Sequence, residues 1–228
     1  MIRLDMEQGS AAWLEVRRGI PTASQFYRIL TPKTQKPSSQ AGGYLLQLLT
    51  EWALGVNQDE DVSEFMQRGH DLEAKALAYY ELERDVAVER PGFILRDDRR
   101  VGCSPDGLIV GQPGGLELKV PSAAVHLGYL LNEDPTRYAG QVQGGLWLAE
   151  REWWDFESYH GTLPPLLLRF PRDETFIRAL AGAVDEFLGR LDEAKAKLTA
   201  LGVTPAAAPA IQAQVPGELA AAFDDVLA

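Results

Sequence analysis

The sequence predicts an α/β (α+β) fold, with helices toward both ends of the chain and short strands between them, on three observations. Tyr44, Leu45, Leu48, Leu49 and Trp52 recur at helical spacing. A longer stripe of the same period, Phe176, Leu180, Val184, Phe187, Leu188, Leu191 and Leu198, marks a helix over 174–201. Between them, segments near 86–88, 92–96, 107–110 and 116–120 alternate apolar and polar residues and are separated by Pro, Gly or Asp-Asp turns, as in a β-meander. A chain of 228 residues, 46% hydrophobic and 24% charged, has the composition of one large globular domain, or of one domain with an appendage.

Each element has a local cause. Ser10 caps a helix that runs through Arg18 and stops at Gly19, and beyond Pro21 a second helix, capped by Thr22, runs to Leu30. Pro32, Lys33, Lys36 and Pro37 make 31–43 a basic loop. The helix carrying Tyr44 stops at Gly55, and another spans 62–84 behind the acidic Asp59-Glu60-Asp61. After the strands come helices over 122–131 and 138–149, strands over 152–159 and 166–170, and the long last helix. The expected domain is 1–202, followed by an Ala/Pro-rich linker over 203–216. A terminal amphipathic segment over 217–228 presents Leu219, Ala222, Phe223, Val226 and Leu227 on one side, to pack back on the body or to dock a partner.

Composition excludes several function classes. No apolar run approaches the roughly 18 residues that a membrane helix needs. Met1-Ile2-Arg3-Leu4-Asp5 does not read as a secretory signal, so a cytoplasmic location is expected, without a membrane partner. Cys103 is the only cysteine, which rules out an intrachain disulfide, a four-cysteine zinc site and a four-cysteine iron–sulfur cluster. The net charge of -11 argues against a protein that coats nucleic acid nonspecifically. Nucleic-acid binding therefore requires basic residues gathered in one tract, or carboxylates that hold cations.

The stretch richest in chemistry is Ser104-Pro105-Asp106-Gly107-Leu108, followed after a Gly-Gln-Pro-Gly-Gly turn by Leu116-Glu117-Leu118-Lys119. As two antiparallel strands, these place Asp106 opposite Glu117, while Glu117 and Lys119 share one face because strand side chains alternate. Two converging carboxylates repel and resist burial unless a cation joins them. Hard oxygen donors suit Mg²⁺, with Mn²⁺ able to substitute, and a nearby lysine orients the nucleophile or steadies developing charge. The other reading of the same residues is a hairpin with an exposed, salt-bridged face. The Pro-Asp, Glu-x-Lys pattern resembles the PD-(D/E)xK signature of the restriction-endonuclease-like nucleases, which implies a restriction-endonuclease-like core with a central mixed β-sheet flanked by helices.

Three more segments resemble the bacteriophage lambda exonuclease family, the YqaJ-like viral recombinases. They are Trp13-Leu14-Glu15-Val16-Arg17-Arg18-Gly19-Ile20-Pro21-Thr22-Ala23-Ser24, then Arg68-Gly69-His70-Asp71-Leu72-Glu73, then Ala139-Gly140-Gln141-Val142-Gln143 with Trp153-Trp154-Asp155-Phe156 beyond it. The resemblance implies that Asp106, Glu117, the Leu118 carbonyl and Glu73 hold two Mg²⁺ ions and that Lys119 is the catalytic lysine. It implies a pocket for the terminal 5′ phosphate built from Arg17, Ser24, Ser104 and Gln141, with Met66 as a wedge at the duplex end and Lys33 and Lys36 as possible backbone contacts. Its further implications are a homotrimer acting 5′-to-3′ on double-stranded DNA ends in a bacterial or phage-infected cell, beside a single-strand annealing protein. Two alternatives stay open, a sequence-specific endonuclease of the same superfamily and a non-catalytic DNA-end adaptor.

Overall fold

Ser10 caps helix α1 (Ala11–Arg17) by accepting a hydrogen bond from the Trp13 amide, and Gly19 follows with a left-handed φ of 68°. The computed structural model describes residues 1–57, 64–132 and 136–206, with the backbone alone for 64–71 and 137. A short strand, β1 (Ile2–Leu4), precedes α1. The second expected helix is a 3₁₀ turn over Ala23–Arg28, and Thr22 makes no side-chain cap there. The expected basic loop contains a small hairpin, β2 (Leu30–Thr31) with β3 (Lys36–Pro37), whose turn places Gln35 at positive φ. Helix α2 (Ala41–Leu54) ends where Gly55 takes the left-handed conformation, as its position predicts.

Helix α3 (Glu64–Arg84) leads into β4 (Val88–Glu89), β5 (Phe93–Leu95), β6 (Gly102–Cys103), β7 (Gly107–Ile109) and β8 (Gly114–Lys119). Then follow α4 (Ala123–Asn132), a 3₁₀ turn (Thr136–Tyr138), α5 (Ala139–Leu148), β9 (Trp153–Ser158), β10 (Leu166–Pro171) and α6 (Glu174–Ala200). Asp173 caps α6 through the amides of Thr175 and Phe176. The central sheet has the order β10-β9-β8-β7-β4 and is mixed, because β8 and β9 run parallel while the other neighbours are antiparallel.

The strands do not form a meander. β5 leaves the central sheet to pair with β1 and β6 in a separate three-stranded sheet. Alternating apolar residues mark a strand but not its partner, and here the partner comes from the start of the chain. That small sheet is tied to the loop after α1 by a bridge between Thr22 and Gly102 and by the Gly102 amide donating to the Pro21 carbonyl.

The two faces of the central sheet bury different clusters. On one, Leu116, Leu118 and Ile109 pack against Ala76 and Tyr80 of α3. On the other, Leu108 and Trp154 pack with Val142 and Leu146 of α5 and the apolar stripe of α6. This alternation sends Glu117 and Lys119 toward α5. Beyond α6, the described part of the expected linker lies against the body, where the Ala206 amide donates to the Trp52 carbonyl. The remainder of the linker and the amphipathic segment over 217–228 fall outside the described residues. No helix among the described residues is long and apolar enough to cross a membrane.

Gly114 and Gly115, expected in the turn, instead open β8, where Trp153 and Trp154 lie across them on the parallel neighbour. A Cβ on Gly115 would fall 2.2 Å from the Trp154 ring, and one on Gly145 of α5 would fall 2.8 Å from the same ring. The indole thus fills the space that two absent side chains leave between sheet and helix. Gly115→Ala should overpack this site and lower the unfolding free energy by about 1–3 kcal/mol, measured by urea unfolding.

Candidate active site

Asp106 sits at the entry to β7, next to the pair Gly107 and Leu116, so continuing the antiparallel register brings it opposite Glu117. One Asp106 carboxylate oxygen accepts the Leu118 amide at 2.7 Å, which fixes the side chain against the edge of β8. A strand residue turns its amide and carbonyl toward the same edge, so the Leu118 carbonyl also faces the Asp106 side. Glu117 is buried. It pairs with the Lys119 ammonium and accepts the Gln141 side-chain amide from α5 at 2.6 Å.

The electrostatics follow from this crowding. Burial first, and then the neighbouring charges of Glu117 and Glu73, push the Asp106 carboxyl up to about 8, against the opposing pull of Lys119 and the Leu118 amide. Burial works against the Lys119 charge, but Glu117 and Asp106 overcome it and hold the lysine above its ordinary range, as an ammonium 5.2 Å from the Tyr138 ring centre. Cys103, behind the site, is held as a thiol by burial and by the charge of Glu117. Two carboxylates and one carbonyl at a strand edge are hard oxygen donors, a set that suits Mg²⁺ or Mn²⁺ and not a soft metal. Among the described residues no three His, Cys, Asp or Glu side chains are grouped to hold a metal, so a metal on Asp106 and Glu117 would take its other oxygens from the Leu118 carbonyl or from water.

The same cleft, with a volume of about 170 Å³, is lined by Arg17, Ser24, Ser104 and Gln141 together with Asp106, Glu117 and Lys119. Arg17 stacks over the Trp13 ring, its guanidinium carbon 3.8 Å from the ring centre. The Trp13 indole N–H donates to the Ser104 hydroxyl at 2.9 Å, so one tryptophan steadies two of these residues. Ser24 lies 3.3 Å, oxygen to oxygen, from the Thr22 hydroxyl. Glu73 does not line the cleft, though its charge reaches Asp106 from α3. Lys33 and Lys36 are exposed on the β2–β3 hairpin and do not line it either. The side chains of Met66 and His70 lie outside the described residues.

Sequence reasoning placed none of Gln8, Thr22 and Trp154 in the site, yet all three line the cleft. Gln8 donates to the carbonyls of Pro91 and Pro105 and so braces the residue just before Asp106, a contact that has no local sequence signal. The loop carrying Thr22 and Ser24 is anchored by buried charge. Arg18 pairs with Glu15, and Glu51 of α2 accepts the Gly19 amide at 2.9 Å. Arg18 is therefore an interior residue, unlike a surface arginine. Glu15→Ala would leave its guanidinium buried beside no carboxylate of its own helix, and should cost about 3–5 kcal/mol of stability in denaturant unfolding.

The profile of the YqaJ-like viral recombinase domain matches residues 12–152. The structure is similar to an alkaline exonuclease (LHK-Exo) from Laribacter hongkongensis, at 27% identity and a TM-score of 0.76 over 85% of this chain and 98% of that one. It is similar likewise to LHK-Exo in complex with dAMP, at 30% identity, TM-score 0.76 and the same coverage, 85% and 98%. A phage-related exonuclease from Haemophilus somnus 129PT shares the fold, with 13% identity and a TM-score of 0.65 over 78% of this chain and 96% of that one. Comparison with curated proteins returned no match. The matched span holds the cleft residues from Trp13 through Gly145. With that match covering more than half of its length, the chain belongs to the YqaJ-like viral recombinase domain family.

Proposed function

We propose that the chain is a magnesium-dependent exonuclease. It would degrade double-stranded DNA 5′-to-3′, releasing 5′-mononucleotides and leaving a 3′ single strand for recombination by annealing. The observation that carries this reading is the convergence, in one cleft, of an acidic pair with its lysine and of a cationic and hydroxyl-bearing group suited to phosphate. The similar structures, an alkaline exonuclease alone and in complex with dAMP, support the same class of activity.

Asp106, Glu117 and the Leu118 carbonyl would hold one divalent ion, and Glu73 would help to hold a second. Bound there, such ions polarise a phosphodiester and lower the pKa of attacking water. Lys119 would orient that water or offset charge on the phosphorane oxygens, held in place by Glu117. Ser104 already accepts the Trp13 N–H, which leaves its own proton free for a phosphate oxygen. Arg17, with its planar fork, suits the terminal 5′ phosphate, and Ser24 and Gln141 would complete that pocket. A phosphate site beside the reacting bond gives direction to the reaction, because the new 5′ end must enter the same pocket before the next cut. Lys33 and Lys36 would touch the duplex backbone, and Met66 would wedge the strands apart. A homotrimer encircling the duplex, working with a single-strand annealing protein, is the assembly that fits this role, and Mn²⁺ should replace Mg²⁺. An adaptor without catalysis would have no use for a buried, mutually repelling acidic pair.

Purified protein should release mononucleotides from linear duplex in Mg²⁺, stop when the metal is chelated, and leave closed circular duplex intact. Cutting of the circle would instead favour an endonuclease. Glu117→Ala and Lys119→Ala should each lower digestion at least about a hundredfold while DNA binding is retained. Full activity in either variant overturns the assignment. A 5′-phosphorylated end should be digested faster than a 5′-hydroxyl end, and Arg17→Ala should erase that difference.

A further inference from the structure

On the face of the central sheet opposite the cleft, Asp155 of β9 is fully buried. Its carboxylate takes both of its oxygens into charge-assisted hydrogen bonds. Arg169 of β10 donates to the two oxygens at 2.8 and 2.9 Å, and the Tyr80 hydroxyl of α3 donates to one of them at 2.7 Å. The Arg169 guanidinium in turn lies 3.5 Å from the Trp153 ring centre. A buried carboxylate is costly unless fully paired, and a hydrophobic residue in the same place would seal α3 to the sheet without that cost. What a hydrogen bond adds over an apolar contact is a defined rotation and height of the helix.

That rotation matters because of what α3 carries. Glu73 precedes Tyr80 by seven residues, which on a helix of about 3.6 residues per turn brings the two to nearly the same face, about 10 Å apart along the axis. Ala76 lies between them on that face and is fully buried, which keeps the helix close to the sheet. Asp155 is in register with Leu116 of β8, and Leu116 with Gly107, the residue after Asp106. The Tyr80 bond is thus made to β9, the strand beside β8, level with the β7–β8 rung next to Asp106 and Glu117, while the charge of Glu73 reaches Asp106 from the other end of that helical segment. Glu157, which faces the same way two residues beyond Asp155, has a buried carboxylate oxygen with no hydrogen-bond partner. Full pairing is therefore a particular property of Asp155 and not of every acid under α3.

We propose that Asp155, through Tyr80 and braced by Arg169, is a positioning residue that sets α3 so that Glu73 completes the metal site on the far side of the sheet. This rests on the reading of Asp106, Glu117 and Glu73 as metal ligands. The test is Mn²⁺ titration of the full chain without DNA, by calorimetry or by the electron paramagnetic resonance of free Mn²⁺. The wild type should bind two ions, and Glu73→Gln should lose one of them. Tyr80→Phe and Asp155→Asn should each weaken that same ion by about 10- to 100-fold, the range usual for residues that orient a metal ligand, and leave the other ion unchanged. In Glu73→Gln, adding Tyr80→Phe should change Mn²⁺ binding no further. Tyr80→Phe removes a single oxygen and keeps the ring in its pocket, so it reports even where Asp155→Asn fails to fold. A lower melting temperature in Tyr80→Phe with both Mn²⁺ affinities intact overturns the positioning role and leaves the metal reading standing. No Mn²⁺ binding by the wild type overturns both.

Discussion

Asp106 and Glu117 bring like charges into one buried cleft, and much of the surrounding structure serves to make that tolerable. Coulomb repulsion between partly desolvated carboxylates is several-fold stronger than in water, so such a pair persists only where donors and cations surround it. Here the Leu118 amide holds Asp106, and Lys119 and Gln141 converge on Glu117. The Asp106 carboxyl still rises to about 8, so the local donors do not fully offset its burial and, after that, the neighbouring charge of Glu117. A site in that condition would be relieved by a bound cation, which is the physical ground on which a metal is proposed there.

The geometry of the pair depends on packing some distance from it. β8 can lie beside β9 because Gly114 and Gly115 leave room for two adjacent tryptophans, and α5 can approach because Gly144 and Gly145 leave room for Phe26 and Trp154. This close approach brings Gln141 within hydrogen-bonding reach of Glu117. On the N-terminal side, the buried Glu15, Arg18 and Glu51 fix the end of α1, and the stacking of Arg17 on Trp13 fixes the side chain that it presents. Among the described residues, packed segments therefore supply the cleft from three directions.

The acidic total charge is also less of an obstacle to DNA than it first looks. Several half-buried arginines are tied to neighbouring acids, Arg96 to Asp98 and Asp185, Arg100 to Asp192 and Arg172 to Glu174. Much of the surface is thus locally neutral or acidic, while Arg17 and Lys119 line the cleft. Binding to nucleic acid responds to the local field at the contact and not to the sum over the chain.

By itself the sequence determined most of the helices and where they stop, because a cap such as Ser10 and stops such as Gly19 and Gly55 act within a few residues, although the helix expected behind Thr22 is a 3₁₀ turn. It also determined that Asp106, Glu117 and Lys119 share a site, since strand alternation and a short antiparallel connection are local rules, and family resemblance brought Arg17, Ser24, Ser104 and Gln141 to the same pocket. What only the tertiary structure decided was partnership across long separations. The departure of β5 to join β1, the parallel pairing of β8 with β9, the bracing of Pro105 by Gln8 and the bond from Tyr80 to Asp155 all join segments far apart in the chain. Such contacts arise from shape and burial after the chain has collapsed, and no periodicity or spacing along the sequence encodes which distant segment will supply the other half.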